Sequence, residues 1–161
     1  MPDQAVVNAS PLIFLAKSGW LAFLQLAASE ILVPATVAAE IRQYNRGDPA
    51  VQALESTPWL KMVEVPVVPP RIQAWDLGPG ESAVLAYAMA HRPMIAIIDD
   101  LSARHCADVF RIPVNGTLGL VLTAKKRGVI PLARPALEEL RQSGMYLSDH
   151  VLNHALSFVG E

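Results

Sequence analysis

The sequence predicts an α/β domain built on a mostly parallel sheet. Three observations carry that prediction. Short apolar runs alternate with helix-length segments along the whole chain. The run 94–98 (MIAII) is wholly apolar and lies between Pro93 and the Asp99-Asp100 pair, which suits a central strand covered on both faces. Three expected strand ends carry polar residues, namely Asn8, Asp99-Asp100 and Asn115. In parallel sheets the chemistry gathers at that end.

The elements follow in order. Residues 5–7 are a short strand broken by Asn8, and Ser10-Pro11 reads as the N-cap and first residue of a helix to about Lys17. Gly19 breaks that helix, and 20–28 reads as a second one. Residues 31–33 form a strand stopped by Pro34. Thr36 then caps a helix to about Asn45, with Val37, Ile41 and Tyr44 on one face. A helix over 50–56 and a strand over 60–65 come next, followed by the Pro-rich loop 66–70. Gly78-Pro79-Gly80 punctuates the chain before a helix over 81–91. Beyond the apolar strand lie a helix over 101–110 and a strand over 112–114. Thr117 caps a helix that Gly128 ends. Helices over 135–143 and 149–158 complete the chain, the last capped by Ser148.

A chain of 161 residues suits one domain and buries a full core without staples. Its 52% apolar content excludes disorder and suggests a buried sheet, a subunit interface, or both. We therefore expect a single domain over 1–161, with the helix 149–158 packed on it, assembling as a homodimer. No run reaches the ~18 uncharged apolar residues of a membrane span, and the start, MPDQAVVN, lacks a leader's basic and apolar regions. The lone Cys106 excludes an internal disulfide framework and a Cys-rich zinc site. These features point to a cytoplasmic protein. Charge is uneven: 101–143 hold seven Lys/Arg against three Asp/Glu, although the whole chain carries −2. A local basic region can attract a polyanion despite the overall balance.

The acids carry the functional signal. Glu40 lies mid-helix among small residues, Glu81 in a first helical turn, and Asp99 and Asp100 after the apolar strand. Each has an ordinary explanation: a solvated helix carboxylate, a dipole-favoured acid, a helix cap. Gathered around one pocket, however, they could not all stay ionised without a counter-charge. For oxygen ligands that counter-charge is a hard divalent cation such as Mg²⁺ or Mn²⁺, the cofactor of phosphodiester hydrolysis.

Five motifs in order, VVNASPLI at 6–13, VPATVAAEI at 33–41, LGPGES at 77–82, IIDDLSAR at 97–104 and VNGTLG at 114–119, resemble the PIN domain. The similarity is greatest to the uncharacterised PIN-like branch related to VapC-type toxins. It implies a Rossmann-like three-layer α/β/α fold and an endoribonuclease dependent on Mg²⁺ or Mn²⁺. It also implies RNA as substrate, a small antitoxin as partner, and a dimer. The family's acids fall on Glu40, on Glu81, and on Asp99 or Asp100, while its first-strand aspartate falls on Asn8. Asparagine offers a neutral carbonyl ligand and no charge, which weakens hard-metal binding. Ser10 and Thr117 match hydroxyls that support the site.

Basic residues complete the expectation. Arg104, Lys125, Lys126 and Arg127 are candidates for holding an RNA backbone, although the last three also suit a helix C-terminus. His150 and His154, four apart, lack a third ligand and an HExxH signature and read as exposed helix residues. Two rival functions stand beside the nuclease: a catalytically inactive PIN-like module that binds RNA or protein, and a generic small-ligand binder. The second lacks G-x-G-x-x-G after the first strand, where Asn8-Ala9-Ser10-Pro11 stands.

Overall fold

The computed structural model describes residues 2–161; Met1, at the start of the expected domain, lies outside the described residues. Five strands form one all-parallel sheet: β1 Gln4–Val7, β2 Glu30–Pro34, β3 Leu60–Val63, β4 Ile95–Ile97 and β5 Val114–Asn115. Their spatial order is β3-β2-β1-β4-β5. Register pairs Val6 with Leu32 on one side and with Ala96 on the other. Ala5, Val6 and Val7 are all fully buried. Successive strand residues point to opposite faces, so helices must cover both. The expected α/β sheet is therefore present, with one correction. The middle strand is β1, and the apolar run 94–98 supplies β4 beside it.

The helices are α1 Ala9–Ser18, α2 Ala35–Ile41, α3 Pro49–Ser56, α4 Pro70–Gln73 and α5 Pro79–Ala90. After β4 come α6 Leu101–Val109, α7 Thr117–Lys126, α8 Arg134–Gln142 and α9 Asp149–Ser157. Helix α9 buries Leu152, Ala155 and Leu156 and packs against α7. Its start follows the sequence rule, because Ser148 Oγ accepts from the Val151 N–H at 3.1 Å. Gly128, at φ +74°, ends the α7 turn in the left-handed region that favours glycine.

Several local expectations are corrected. Asn8, not Ser10, is the residue before α1, and no side chain caps that helix. The Asn8 N–H is still bonded to Ile97 O at 3.0 Å, so the chain turns into helix at once on leaving the sheet. Pro11 is tolerated because the first-turn N–H groups lack helical partners anyway. The segment after Gly19 forms a 3₁₀ helix over Leu21–Leu26. Trp20 and Phe23, three apart, stack there at 4.9 Å, a spacing that the three-residue turn aligns. Helix α2 begins after Pro34 without Thr36 as its cap and stops at Ile41, because the polar segment 42–47 buries nothing. Strand β3 stops at Val63, and the Pro-rich loop ends in the helical turn α4, which buries Ile72. Strand β5 starts two residues and ends one residue later than expected.

Candidate active site

Because every strand is parallel, the residues that follow them converge on one edge of the sheet. Asn8 follows β1, Glu40 lies in α2 after β2, Asp99 follows β4, and Gly116 and Thr117 follow β5. Glu81 reaches the same edge from the first turn of α5.

Asn8, Glu40 and Glu81 line one trough of about 450 Å³. Gly80 makes room for Glu40 and Asn8 to approach, while the Glu81 carboxylate lies against Gly78. A Cβ on Gly80 would stand 2.6 Å from Glu40 Oε1 and 3.0 Å from Asn8 Oδ1. The motif glycine thus has a steric reason: the acid and the amide oxygen occupy the space a side chain would need. Asn8 is 3% exposed, and its Oδ1 has no hydrogen-bond partner. An orphaned buried acceptor costs about 1–3 kcal/mol, so this oxygen is suited to a ligand. The Glu40 carboxyl is held above its ordinary value, first by burial and next by the Glu81 charge, while the Gly80 backbone N–H pulls it the other way. A carboxyl whose ionisation burial and a neighbouring charge oppose suits a bound cation or a retained proton.

The two consecutive aspartates separate. Asp100 is the N-cap of α6, with Oδ2 accepting from the Ala103 N–H at 2.9 Å. Asp99 turns the other way. Its Oδ1 accepts from the Thr117 N–H at 2.8 Å and its Oδ2 from the Thr117 hydroxyl at 2.7 Å. Thr117 is fully buried. It was expected to cap α7 with its own hydroxyl; instead Gly116 occupies the cap position and Asp99 supplies the acceptor. A Cβ on Gly116 would stand 3.1 Å from Asp99 Oδ1 and 2.6 Å from Arg104 Nη1. Arg104 is itself anchored, donating to Ile98 O at 3.0 Å.

Asp99 and Arg104 line a second groove, of about 600 Å³, rather than the trough. Asn8 and Asp99 follow adjacent strands, and the Asn8 N–H bonds Ile97 O between them. Ser10 lines the trough beside Asn8. Lys125, Lys126 and Arg127 are not brought to this edge. They lie at the far end of α7, roughly 14 Å along the helix from Thr117 at about 1.5 Å per residue. There Lys125 pairs with Glu161 at 3.0 Å, and Arg127 donates to Leu26 O at 3.2 Å. His150 and His154 are exposed on α9 beside the second groove. Sequence reasoning missed Lys17 and Tyr44, which line the trough with the acids. Lys17 follows Ser10 and Phe14 at helical spacing, a signal that could have revealed it.

The donor set fits a hard divalent cation: two carboxylates and an orphaned amide oxygen, all oxygen ligands. Among the described residues no three His, Cys, Asp or Glu side chains gather closely enough to hold an ion by themselves. The neutral Asn8 therefore stands where a third acid would complete such a set.

A family model described as PIN domain matches residues 4–161. No curated protein shows a significant match to the chain.

Proposed function

The chain belongs to the PIN-domain family, a nuclease-type fold, and from that membership we propose that it is a divalent-metal-dependent endoribonuclease of the VapC-toxin type. The observation that supports this most is the buried, unpartnered Asn8 Oδ1 beside the Glu40 carboxyl, whose ionisation burial and Glu81 hinder. Glu40, Glu81 and Asn8 would hold Mg²⁺ or Mn²⁺, with Asp99 at the adjoining strand end. The cation, when bound, would polarise a phosphoryl oxygen and make a bound water more acidic.

The chain's own groups have separate parts. Glu40, whose ionisation burial and the Glu81 charge oppose, is a carboxylate whose charged form a bound cation would favour. Thr117 keeps Asp99 oriented, and Asp100 serves α6 instead. Arg104, anchored on Ile98 O, offers its remaining guanidinium N–H groups to a phosphate. We take 1–161 as one functional unit in a cytoplasmic setting, active as a homodimer and silenced by a small antitoxin. No helix of the described residues is long and apolar enough to cross a membrane.

The test is cleavage of a labelled single-stranded RNA with Mn²⁺. The wild type should cut and Glu40→Gln should not. A second reading, a catalytically inactive RNA- or protein-binding module, is favoured by one observation, the neutral Asn8 in place of an acid. RNA binding without Mn²⁺-dependent cleavage would select it.

A further inference from the structure

The trough extends well past the acids. It follows one face of α1 through Ser10, Ile13 and Phe14 to Lys17, and Glu40, Tyr44, Ser143 and Gly144 also line it. The acids and Asn8 stand at one end. At the other, the Lys17 ammonium lies over the Tyr44 ring, 5.7 Å from its centre, a cation–π contact that occupies part of one face. Among the described residues Lys17 makes no ion pair, although Glu40 and Glu81 line the same trough. Tyr44 is 48% exposed, so much of its ring remains open to solvent. The position of Lys17 in the last turn of α1 suits the helix dipole. The contact with Lys17 leaves the rest of the Tyr44 ring uncovered.

We propose that Lys17 and Tyr44 form a substrate subsite for single-stranded RNA on one side of the cut. Lys17 takes a phosphate neighbouring the scissile one, and Tyr44 stacks on the attached base. The proposal rests on the nuclease reading of the acids, and it assigns the strand's path away from them. An ammonium and an aromatic face together match the repeating unit of a single strand, one charge and one π-face per nucleotide. Paired bases have no free face to offer Tyr44, so the subsite selects unpaired RNA. The separation along α1 explains why Lys17 meets a neighbouring phosphate. At about 1.5 Å per residue, the helix puts its Cα roughly 13 Å from that of Asn8.

The experiment is fluorescence anisotropy with a labelled, unstructured oligoribonucleotide, with EDTA present to prevent cleavage, across a salt series. The variants are Lys17→Met, Tyr44→Leu and Tyr44→Phe, each checked for native thermal unfolding. Both side chains are exposed or half-exposed, so all three should fold. Lys17→Met should bind several-fold more weakly and lower the log–log salt slope by about 0.7, the release expected for one phosphate on a single strand. Tyr44→Leu should weaken binding about tenfold, whereas Tyr44→Phe, which keeps the ring, should bind like the wild type. A duplex of the same sequence should bind the wild type and Tyr44→Leu alike. Wild-type affinity and salt slope in both Lys17→Met and Tyr44→Leu would overturn the subsite, as would no binding of RNA by the wild type. Failure of the nuclease reading shows separately, as uncut RNA when Mn²⁺ replaces EDTA.

Discussion

Thr117 holds Asp99 by both carboxylate oxygens, Oδ1 through its backbone N–H at 2.8 Å and Oδ2 through its hydroxyl at 2.7 Å. The pair joins the end of β4 to the start of α7 and selects Asp99 over Asp100 as the acid facing the sheet edge. Thr117→Val keeps the shape and the N–H but removes the hydroxyl donor. Stability should fall by about 1–3 kcal/mol, the cost of stranding a part-buried acceptor, whereas Thr117→Ser should recover most of it. Urea denaturation of the three proteins measures this. Equal stability of the valine variant and the wild type would show that the hydroxyl bond contributes nothing.

Gly80→Ala separates stability from site geometry. Its Cβ would meet Glu40 Oε1 at 2.6 Å, the far end of a flexible side chain, and press on the buried Asn8 Oδ1 at 3.0 Å, which must give by a few tenths of an ångström. Glu40 can swing away at little cost, and alanine favours the helix by up to about 1 kcal/mol. Thermal unfolding should therefore change little, while Mn²⁺ affinity falls at least tenfold by titration calorimetry. Unchanged affinity would remove Glu40 from the metal site.

Asn8→Asp adds the missing charge beside Glu40. Without metal the variant should be less stable near neutral pH, because a further carboxylate joins Glu40, whose ionisation burial and the Glu81 charge already oppose. With Mn²⁺ it should bind at least tenfold more tightly, about 1.4 kcal/mol, and gain more from metal in thermal unfolding. Equal Mn²⁺ affinity in the two proteins would mean that Asn8 lies outside the metal site.

The raised Glu40 value sets a pH dependence in EDTA. The folded state holds this proton more tightly than the unfolded chain, so the contribution is fully present below the ordinary carboxylate value. It is lost as pH rises through the folded value. Glu40→Gln cannot ionise, so it should be more stable than the wild type at pH 7. The difference should shrink at acidic pH, where Glu40 is protonated in both states. Thermal unfolding across that range checks the sign. A glutamine variant less stable at pH 7 would contradict it.

The sequence by itself determined the alternation of strands and helices. Buried parallel strands need continuous apolar runs, and such runs are visible without coordinates. It also marked Asn8, Glu40, Glu81 and Asp99-Asp100, because their motifs keep a recognisable order. Only the tertiary structure decided that Asp99 meets Thr117 while Asp100 caps α6. Adjacent residues have equal local claims to a cap, and the donor that divides them lies 18 positions away. It also decided that Lys17 and Tyr44 join the acids while Lys125, Lys126 and Arg127 do not. Helical spacing relates Lys17 to its own face, but what lies across the trough depends on how α1 and α2 pack. The basic run suits a helix C-terminus first and an RNA backbone second, and α7 starts at the site and carries its cations to the other end.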